Sequence, residues 1–210
     1  MKLAITMRTA KDAATGEVRD AIDRAWYRFL AAALPDCTPI PIPNHPESIG
    51  AFLGATTIDG LLLTGGDDIG ASPERDTTES VILSHCLERG LPVLGVCRGL
   101  QFLSHRFGGT IEPCDPALHR ATRHQVRVDP ANAPKSVRAD FEANSYHNLG
   151  AVLAADGPLR AWAWSPDGCV EGVTDPVRRI LAIGWHPERE STFREIDIAL
   201  FREHFHRSAP

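Results

Sequence analysis

One of the five cysteines lies in a setting that can turn a thiol into a nucleophile. Cys97 follows the apolar run LPVLGV and has Gly95 and Gly99 two positions to either side, with a helix-like segment after it. Glycines at these positions relieve the crowding of a sharp strand-to-helix turn. The N-terminus of the helix favours the thiolate and lowers the pKa of the thiol. The pattern predicts a nucleophile elbow in which the backbone N–H of Arg98 stabilises an oxyanion.

The remaining cysteines lack such a setting. The total of five is odd, the residues lie far apart, and no CxxC pair occurs, which argues against a disulfide framework or a zinc knuckle. No HxxxH or Cys/His spacing typical of a zinc site is present either, so we predict neither a metal nor another cofactor. Four thiols are therefore expected to be unreactive: Cys37, Cys86, Cys114 and Cys169.

A thiolate in acyl transfer needs a base, and nine histidines could supply one. His186 stands out because the strand-like run from Ile180 to Trp185 delivers it to the end of a buried strand, in the sequence GWHPE. Glu188 follows two residues later, close enough to orient the imidazole if the chain turns at Pro187. A lone histidine is more often a solvated surface residue, so this assignment depends on spatial pairing with Cys97.

A pair of glycines ends another buried strand, in the sequence TGGDD from Thr64 to Asp68. In open α/β sheets ligands bind beyond the carboxyl ends of the strands, so this loop should approach the elbow. Its backbone would add a second oxyanion donor, the N–H of Gly66. A tight turn without function explains the glycines equally well when the motif is taken alone. The loop has neither GxGxxG nor GK[ST], which excludes a phosphate-binding loop of those types.

Composition excludes several classes of protein. The chain has 210 residues, a net charge of −5 and a pI of about 6.0, so its overall charge does not favour nucleic acid or an anionic membrane. No apolar run approaches the roughly 18 residues of a membrane span, and the N-terminal apolar stretch is too short for a signal peptide. We expect a cytoplasmic protein with one domain over residues 1–210.

Strand-like and helix-like segments alternate up to residue 110, which predicts an α/β fold with a mostly parallel central sheet and helices on both faces. Near the N-terminus, the polar segment 9–16 is typical of a loop, and apolar spacing predicts a helix over 17–34. Short strand-like runs after residue 110 predict a short antiparallel extension of the sheet. A closing helix is expected over 195–208.

Six segments, in this order, resemble the class I glutamine amidotransferase-like family: GGDDI, GVCRGLQ, GGTIEP, HRATRH, NSYHN and GWHPE. The match spans the chain and is most similar to the γ-glutamyl hydrolase branch of that family. Amidotransferase glutaminases commonly have Leu after the nucleophile, whereas this chain has Arg98, as the hydrolase branch often does. The resemblance therefore favours hydrolysis of a small-molecule γ-glutamyl amide.

The resemblance implies a flavodoxin-like class I glutaminase fold and a triad of Cys97, His186 and Glu188 that works through a thioester. It places Gly66 and Arg98 in the oxyanion hole. It also implies that five residues help to bind the glutamyl group: Gln101, Asn144, Ser145, Tyr146 and His147.

The identity of the amine is left open. NSYHN departs from the NSxHHQ form of enzymes that act on γ-glutamyl-γ-aminobutyrate, and a subgroup of the family acts on γ-glutamyl-CDP-amidate. The cluster of His119, Arg120, Arg123 and His124 could grip a phosphate of such a substrate, although a basic run is more often a solvated face.

Two other functions and one assembly state are also left open. The chain could be a glutaminase subunit that delivers ammonia to a separate synthetase. It could instead be a redox sensor, which needs a low-pKa thiol but no acyl-transfer triad. A homodimer is compatible with the sequence.

Overall fold

The structure, a computed structural model, describes residues 1–206. The last two residues of the predicted closing helix, 207 and 208, lie outside the described residues. The elements in chain order are β1 (Lys2–Thr6), β2 (Arg8–Lys11), β3 (Val18–Ala21), α1 (Arg24–Ala33), β4 (Thr38–Ile42), α2 (Pro46–Ala55), β5 (Gly60–Leu63), α3 (Pro73–Glu88), β6 (Val93–Val96), α4 (Arg98–Arg106), β7 (Thr110–Pro113), α5 (Pro116–His119), β8 (Arg120–Val128), β9 (Phe141–Tyr146), β10 (Leu149–Val152), β11 (Arg160–Trp164), β12 (Val170–Asp175), β13 (Ile180–Ile183), a 3-10 turn (Pro187–Arg189) and α6 (Glu195–His206).

Within residues 1–206, eleven strands form one mixed sheet. Its parallel half has the order β4-β1-β5-β6-β13, and β12, β11, β8 and β9 continue it in antiparallel fashion. β10 pairs with β12 and β7. The proline-containing β4 lies at the edge, where its missing N–H groups cost no ladder bond. The α/β prediction is confirmed, and the antiparallel part is longer than the short extension expected.

Helices cover both faces of the sheet, as predicted. On one face, α1 and α6 pack together through Phe29 and Phe201, whose rings meet edge to face at 4.8 Å. On the other, α2, α3 and α4 bury a second apolar cluster that includes Ile49, Leu83 and Leu103. Each face thus has its own core, and the central strands are apolar on both sides. No helix among residues 1–206 is both long and apolar enough to cross a bilayer.

The N-terminal segment differs from the expectation. Residues 8–21 form a two-stranded antiparallel hairpin, β2-β3, where a loop and the start of a helix were predicted. Helix α1 begins only at Arg24, because the Asp23 side chain caps it by accepting a hydrogen bond from the N–H of Ala25. Val18, counted in the apolar face of the predicted helix, is exposed in β3. The helix therefore begins where Asp23 caps it, although apolar residues at helical spacing continue on the N-terminal side of Asp23.

A buried tryptophan ties α6 to the strand that leads into the candidate site. The indole N–H of Trp185 donates to Asp197 Oδ1 at 2.9 Å, and Arg194 contacts the same carboxylate at 2.8 and 2.9 Å. The ring packs edge to face on Trp162 and Phe141. This contact fixes the residue directly before His186.

We expect Asp197→Ala to lower the free energy of unfolding by about 2 to 4 kcal/mol, because it leaves a buried indole N–H and a guanidinium without their acceptor. Urea denaturation followed by tryptophan fluorescence measures the loss. Asp197→Asn keeps an acceptor and should lose less. The exposed Asp156→Ala serves as the control, with an expected change within about 0.5 kcal/mol. Equal stability of Asp197→Ala and Asp156→Ala would contradict the prediction.

Candidate active site

Three neighbouring strands end at the same edge of the sheet. In the registers of β5, β6 and β13, Leu63 lies opposite Gly95, and Val96 lies opposite Ile183. The N–H of Cys97 continues the ladder by donating to the carbonyl of Ile183 at 2.8 Å. Parallel pairing therefore brings the segments that follow these strands side by side, as the sequence predicted for the glycine loop, the elbow and the histidine.

Cys97 has the backbone conformation of a nucleophile elbow, with φ 55° and ψ −105°. The left-handed region is strained for a residue with a side chain, and such strain is concentrated at functional sites. A Cβ on Gly95 would lie 2.7 Å from the carbonyl carbon of Gly99, and one on Gly99 would overlap the carbonyl oxygen of Leu63. Both glycines are therefore required by close packing, as the elbow motif predicts.

His186 is held on three sides. Its Nδ1 lies 2.7 Å from Glu188 Oε1, because the 3-10 turn that starts at Pro187 brings the carboxylate back to the ring. Asn144 Oδ1 accepts from the backbone N–H of His186 at 2.9 Å, and the Asn144 amide donates to the His186 carbonyl at 2.8 Å. The remaining face of the ring meets Tyr146 edge-on at 5.7 Å. His186 and Glu188 are each only 2% exposed.

Cys97 and His186 share a side-chain hydrogen bond and stabilise each other's charged form. Burial raises the pKa of a thiol, but the charge and hydrogen bond of His186, together with the charge of His147, outweigh it and lower the pKa of Cys97. Burial likewise lowers the pKa of a histidine, but Cys97 and Glu188 outweigh it and raise the pKa of His186 to about 9. Each group therefore favours the charged form of the other, a thiolate on Cys97 and an imidazolium on His186.

The glycine loop lies against the histidine. A Cβ on Gly65 would be 2.7 Å from His186 Cε1, so only glycine allows this approach. Gly66 has φ 146°, a conformation that side chains disfavour. The buried Arg75 fixes the loop, since its Nη2 donates to the carbonyls of Thr64 at 2.9 Å and Gly65 at 3.2 Å.

One buried carboxylate joins this loop to the elbow helix. Glu79 Oε1 accepts from Arg75 Nε at 2.9 Å, and Glu79 Oε2 accepts from Arg98 Nη1. The Arg98 side chain also pairs with Asp76, so it points away from the thiol. The backbone N–H of Arg98 lies in the first turn of α4, where a helix has no acceptor of its own for it. The network therefore fixes the two segments that carry the predicted oxyanion donors, Gly66 and Arg98.

A small cavity adjoins the imidazole. Arg8 and Arg189 line it, and Arg189 stacks over the ring of Tyr146 at 4.6 Å and lies 3.7 Å from Glu188 Oε1. Arg8 also contacts Asp67 at 3.3 Å. The cavity is lined by Arg8, Ala21, Ile22, Asp23, Trp26, Thr64, Gly65, Gly66, His186, Glu188 and Arg189.

Most of the five residues expected to bind the glutamyl group are engaged in hydrogen bonds within the protein. Asn144 clamps His186. The Ser145 hydroxyl lies 3.2 Å from His119 Nδ1, and Gln101 donates to the carbonyl of Leu149 at 2.7 Å. His147 is buried, whereas Tyr146 is exposed beside the cavity. Binding of the glutamyl group by these residues stays a prediction. The observed contacts of Asn144 give it a positioning role.

The run from His119 to His124 is not a uniform basic face. His119 and His124 are buried and lie 3.5 and 3.3 Å from Glu171, so neither imidazole is open to a phosphate in solution. Arg123 pairs with Glu142 at 2.6 Å and with Glu190 at 3.0 Å. His119 is buried at the end of α5, and β8 turns Arg123 outward and His124 inward, so the charges in this run do not share one surface.

The other cysteines differ from Cys97. Cys86 is fully buried in α3, and burial raises the pKa of its thiol to about 12. Cys114 lies near His119 and His147, yet burial and Cys169, whose sulfur is 3.0 Å away, raise the pKa of its thiol as well. Among the cysteines, Cys97 alone has a lowered pKa, in agreement with the sequence-based choice.

Sequence reasoning missed the residues that support the site from a distance. Arg75 and Glu79 lie in α3 one turn apart, a spacing that indicates a helical ion pair but does not reveal its burial. Glu171 lies in β12 without any motif around it. No local signal could have identified these three residues, because their partners come from other elements.

Known proteins share both the sequence pattern and the fold. The profile of the family described as Peptidase C26 matches residues 3–188. The γ-glutamyl-CDP-amidate hydrolase of Campylobacter jejuni is 27% identical, over 94% of this chain and 95% of its own length. The γ-glutamyl-γ-aminobutyrate hydrolase PuuD of Escherichia coli is 31% identical, over 82% of this chain and 72% of its own length.

Two crystal structures superpose on nearly the whole chain. A Thermoplasma acidophilum protein gives a TM-score of 0.72 at 20% identity, over 98% of this chain and 92% of that one. A glutamine amidotransferase of Thermotoga maritima gives 0.64 at 10% identity, over 98% and 84% of the two chains. At these identities the structures show the common fold. With the family match over most of its length, the chain belongs to the peptidase C26 family of class I glutamine amidotransferase-like proteins.

Proposed function

We propose that this protein hydrolyses the amide bond of a γ-glutamyl compound, with Cys97 as nucleophile, His186 as acid and base, and Glu188 as the residue that orients the imidazole. The observation that carries the proposal is the buried Cys97–His186 pair on an elbow, with Glu188 2.7 Å from the far ring nitrogen. Nucleophile, base and orienting carboxylate in hydrogen-bonded sequence are what acyl transfer requires.

In the first step the Cys97 thiolate attacks the γ-carbonyl carbon. The C=O electrons move onto oxygen, and the backbone N–H groups of Gly66 and Arg98 stabilise the resulting oxyanion. The tetrahedral intermediate collapses, the C–N bond breaks, and the His186 imidazolium gives its proton to the departing amine. The products are a γ-glutamyl thioester on Cys97 and the free amine.

In the second step the neutral His186 removes a proton from water, which attacks the thioester carbonyl. The same two N–H groups stabilise the second oxyanion. Breakage of the C–S bond releases glutamate and restores the thiolate beside the imidazolium. Glu188 keeps the ring in the orientation that both steps require.

Two partly exposed arginines at the cavity beside His186 support a substrate that carries negative charge. Arg8 and Arg189 line the cavity together with Asp23 and Glu188, their side chains are 49% and 35% exposed, and guanidinium groups bind carboxylate and phosphate oxygens strongly. The relative from Campylobacter jejuni acts on γ-glutamyl-CDP-amidate, whose leaving group is a phosphoramidate. We therefore place γ-glutamyl-CDP-amidate first among the substrates of this chain and other γ-glutamyl amines second.

Replacement of Cys97 tests the nucleophile. Cys97→Ala should abolish glutamate release from γ-glutamyl-CDP-amidate, γ-glutamyl-γ-aminobutyrate and γ-glutamyl-p-nitroanilide. Cys97→Ser should lose at least ~10³-fold in kcat. Mass spectrometry of acid-quenched wild-type enzyme should find a glutamyl adduct on the peptide that contains Cys97. Cys114→Ser, the control with a buried thiol near other histidines, should keep its activity. Full turnover by Cys97→Ala, or an adduct on Cys114, would sink the mechanism.

Glutamine in the same panel tests the glutaminase alternative. If glutamine were hydrolysed faster than the other amides, the preference for γ-glutamyl-CDP-amidate would be wrong and the glutaminase function would be favoured.

The pH profile tests the thiolate–imidazolium pair. The raised pKa of His186 keeps the imidazolium present up to pH about 9, so kcat/KM should fall as the pH rises through about 9 and the acid is lost. At the acid end activity should fall as Cys97 becomes protonated. Glu188→Gln removes a charge that raises the pKa of His186. This variant should move the alkaline limb to lower pH and lose about 10²-fold or more in kcat. An unmoved alkaline limb in Glu188→Gln would contradict the role of Glu188.

The anionic leaving group is tested by Arg189→Gln. One charge-assisted hydrogen bond is worth about 1.5 to 3 kcal/mol, so kcat/KM for γ-glutamyl-CDP-amidate should drop about 10- to 100-fold. Arg189 also lies 3.7 Å from Glu188, so part of the loss should be common to all substrates. Hydrolysis of γ-glutamyl-p-nitroanilide, whose leaving group is uncharged, should show only this common part. Arg106→Gln, in an exposed arginine at the far end of α4, is the matched control. Equal loss on both substrates would show that Arg189 does not select the leaving group.

A further inference from the structure

Three histidines and one glutamate converge in the interior of the antiparallel half of the sheet, outside the triad. His119 ends α5, His124 lies in β8, His147 follows β9, and Glu171 lies in β12. All four are at least nine-tenths buried. We call this group the His119–Glu171 cluster; its members are His119, His124, His147 and Glu171.

A single oxygen is the centre of the cluster. Glu171 Oε1 lies 3.5 Å from His119 Nδ1, 3.3 Å from His124 Nε2 and 3.4 Å from His147 Nε2. Ligands bound to Zn²⁺ at 2.0 to 2.1 Å in a tetrahedron are separated from one another by about 3.3 to 3.4 Å. The three separations match the three edges that meet at Glu171 Oε1 in such a tetrahedron. His119, His124 and Glu171 also have their ligand atoms within 4.8 Å of one another.

The outer nitrogens of the rings determine what the inner nitrogens can do. His124 Nδ1 lies 3.0 Å from the carbonyl oxygen of Leu118, and His147 Nδ1 lies 3.0 Å from that of Leu149. A carbonyl only accepts, so each Nδ1 carries the hydrogen, and in the neutral ring Nε2 presents a lone pair. Both Nε2 atoms face a carboxylate oxygen, a contact that needs either a proton on each ring or one metal cation between them.

The same arrangement holds for the third ring. His119 Nε2 lies 3.1 Å from both oxygens of Asp167, which leaves Nδ1 with a lone pair directed towards Glu171. Ser145 Oγ lies 3.2 Å from this Nδ1, so a metal ion bound at Nδ1 would replace the hydrogen bond between His119 and the Ser145 hydroxyl. A carboxylate or a carbonyl on the far nitrogen is the usual outer contact of a metal-binding histidine.

Four atoms of the cluster have no hydrogen-bond partner within the described part of the chain: His124 Nε2, His147 Nε2, Glu171 Oε1 and Glu171 Oε2. Buried polar atoms are nearly always satisfied, so four orphans in one place call for an explanation. The charge is also unbalanced when the rings are neutral. Three neutral imidazoles with Glu171 and Asp167 carry a net charge of −2, which is neutralised either by ring protons or by one divalent cation.

From these contacts we propose that His119, His124, His147 and Glu171 bind a structural divalent metal ion, with Zn²⁺ as the preferred ion. Nitrogen and carboxylate donors in a closed four-coordinate site are typical of structural zinc. No position is left open for water, and the cluster is separate from the thiol that attacks the substrate. The ion would join α5, β8, β9 and β12 behind the elbow.

The test measures binding rather than activity, so it stands apart from the proposed hydrolysis. Tag-free full-length Cys97→Ala protein is stripped with a chelator, because Cys97 and His186 could themselves hold zinc. Zn²⁺ content after dialysis, competition with a chromophoric chelator and the visible spectrum with Co²⁺ are then recorded. We expect one tightly bound Zn²⁺ per chain and the intense absorption of tetrahedral Co²⁺.

Substitutions in the same background assign the ligands. Glu171→Gln and His124→Gln should weaken Zn²⁺ binding by at least about 10²-fold. The exposed His105→Gln and the neighbouring Cys114→Ser are matched controls and should bind as before. Circular dichroism checks that each stripped variant is folded. Less than one Zn²⁺ bound per folded chain, loss of binding only in Cys114→Ser, or unchanged binding in Glu171→Gln would each overturn the proposal.

Discussion

The site depends on the contact between the elbow helix and the end of β5. A Cβ at Gly99 would overlap the carbonyl oxygen of Leu63, so the first turn of α4 rests directly on the backbone of the neighbouring strand. On its other side β6 pairs with β13, and Cys97 continues that ladder to Ile183. The thiol is thus fixed between two strands whose following residues bring the glycine loop and His186. The positions of the catalytic groups therefore follow from the parallel register of β5, β6 and β13 and from the absence of a side chain at Gly99.

Much of this could be predicted because the signals are local. The glycines around Cys97, the apolar runs before it and the GWHPE segment lie within a few residues of the atoms they position. The hairpin β2-β3 was missed because an apolar spacing continued into it, and the cap at Asp23 was a weaker signal than that spacing. The roles of Asn144 and Glu79 could not be found, since each acts on a residue from a distant segment. The homodimer, the single domain and the cytoplasmic location stay predictions.

Two buried carboxylates, those of Glu79 and Glu171, belong to separate networks of charged and polar side chains. On one side Glu79 joins Arg75 and Arg98, and on the other Glu171 faces three histidines. Burying a charge is costly unless it is paired, so each carboxylate needs cationic partners within contact distance. The first network achieves this with guanidinium groups in hydrogen-bonding contact. In the second the imidazoles come within ion-pair distance of the carboxylate but leave its oxygens without hydrogen bonds, and this difference makes a cation the better partner.

The elbow helix and the His119–Glu171 cluster are joined through the carbonyl group of Leu149. Leu149 O accepts from His147 Nδ1 at 3.0 Å and from Gln101 Nε2 at 2.7 Å, and Gln101 belongs to the elbow helix. A ring held by a metal ion would fix the position of this carbonyl and, through Gln101, the first turns of α4. Without a metal ion, the charge of His147 helps to lower the pKa of Cys97, and an ion bound to a neutral His147 would supply positive charge at the same place. A structural ion in the His119–Glu171 cluster would therefore support the nucleophile in two physical ways, by rigidity and by charge, without touching the substrate.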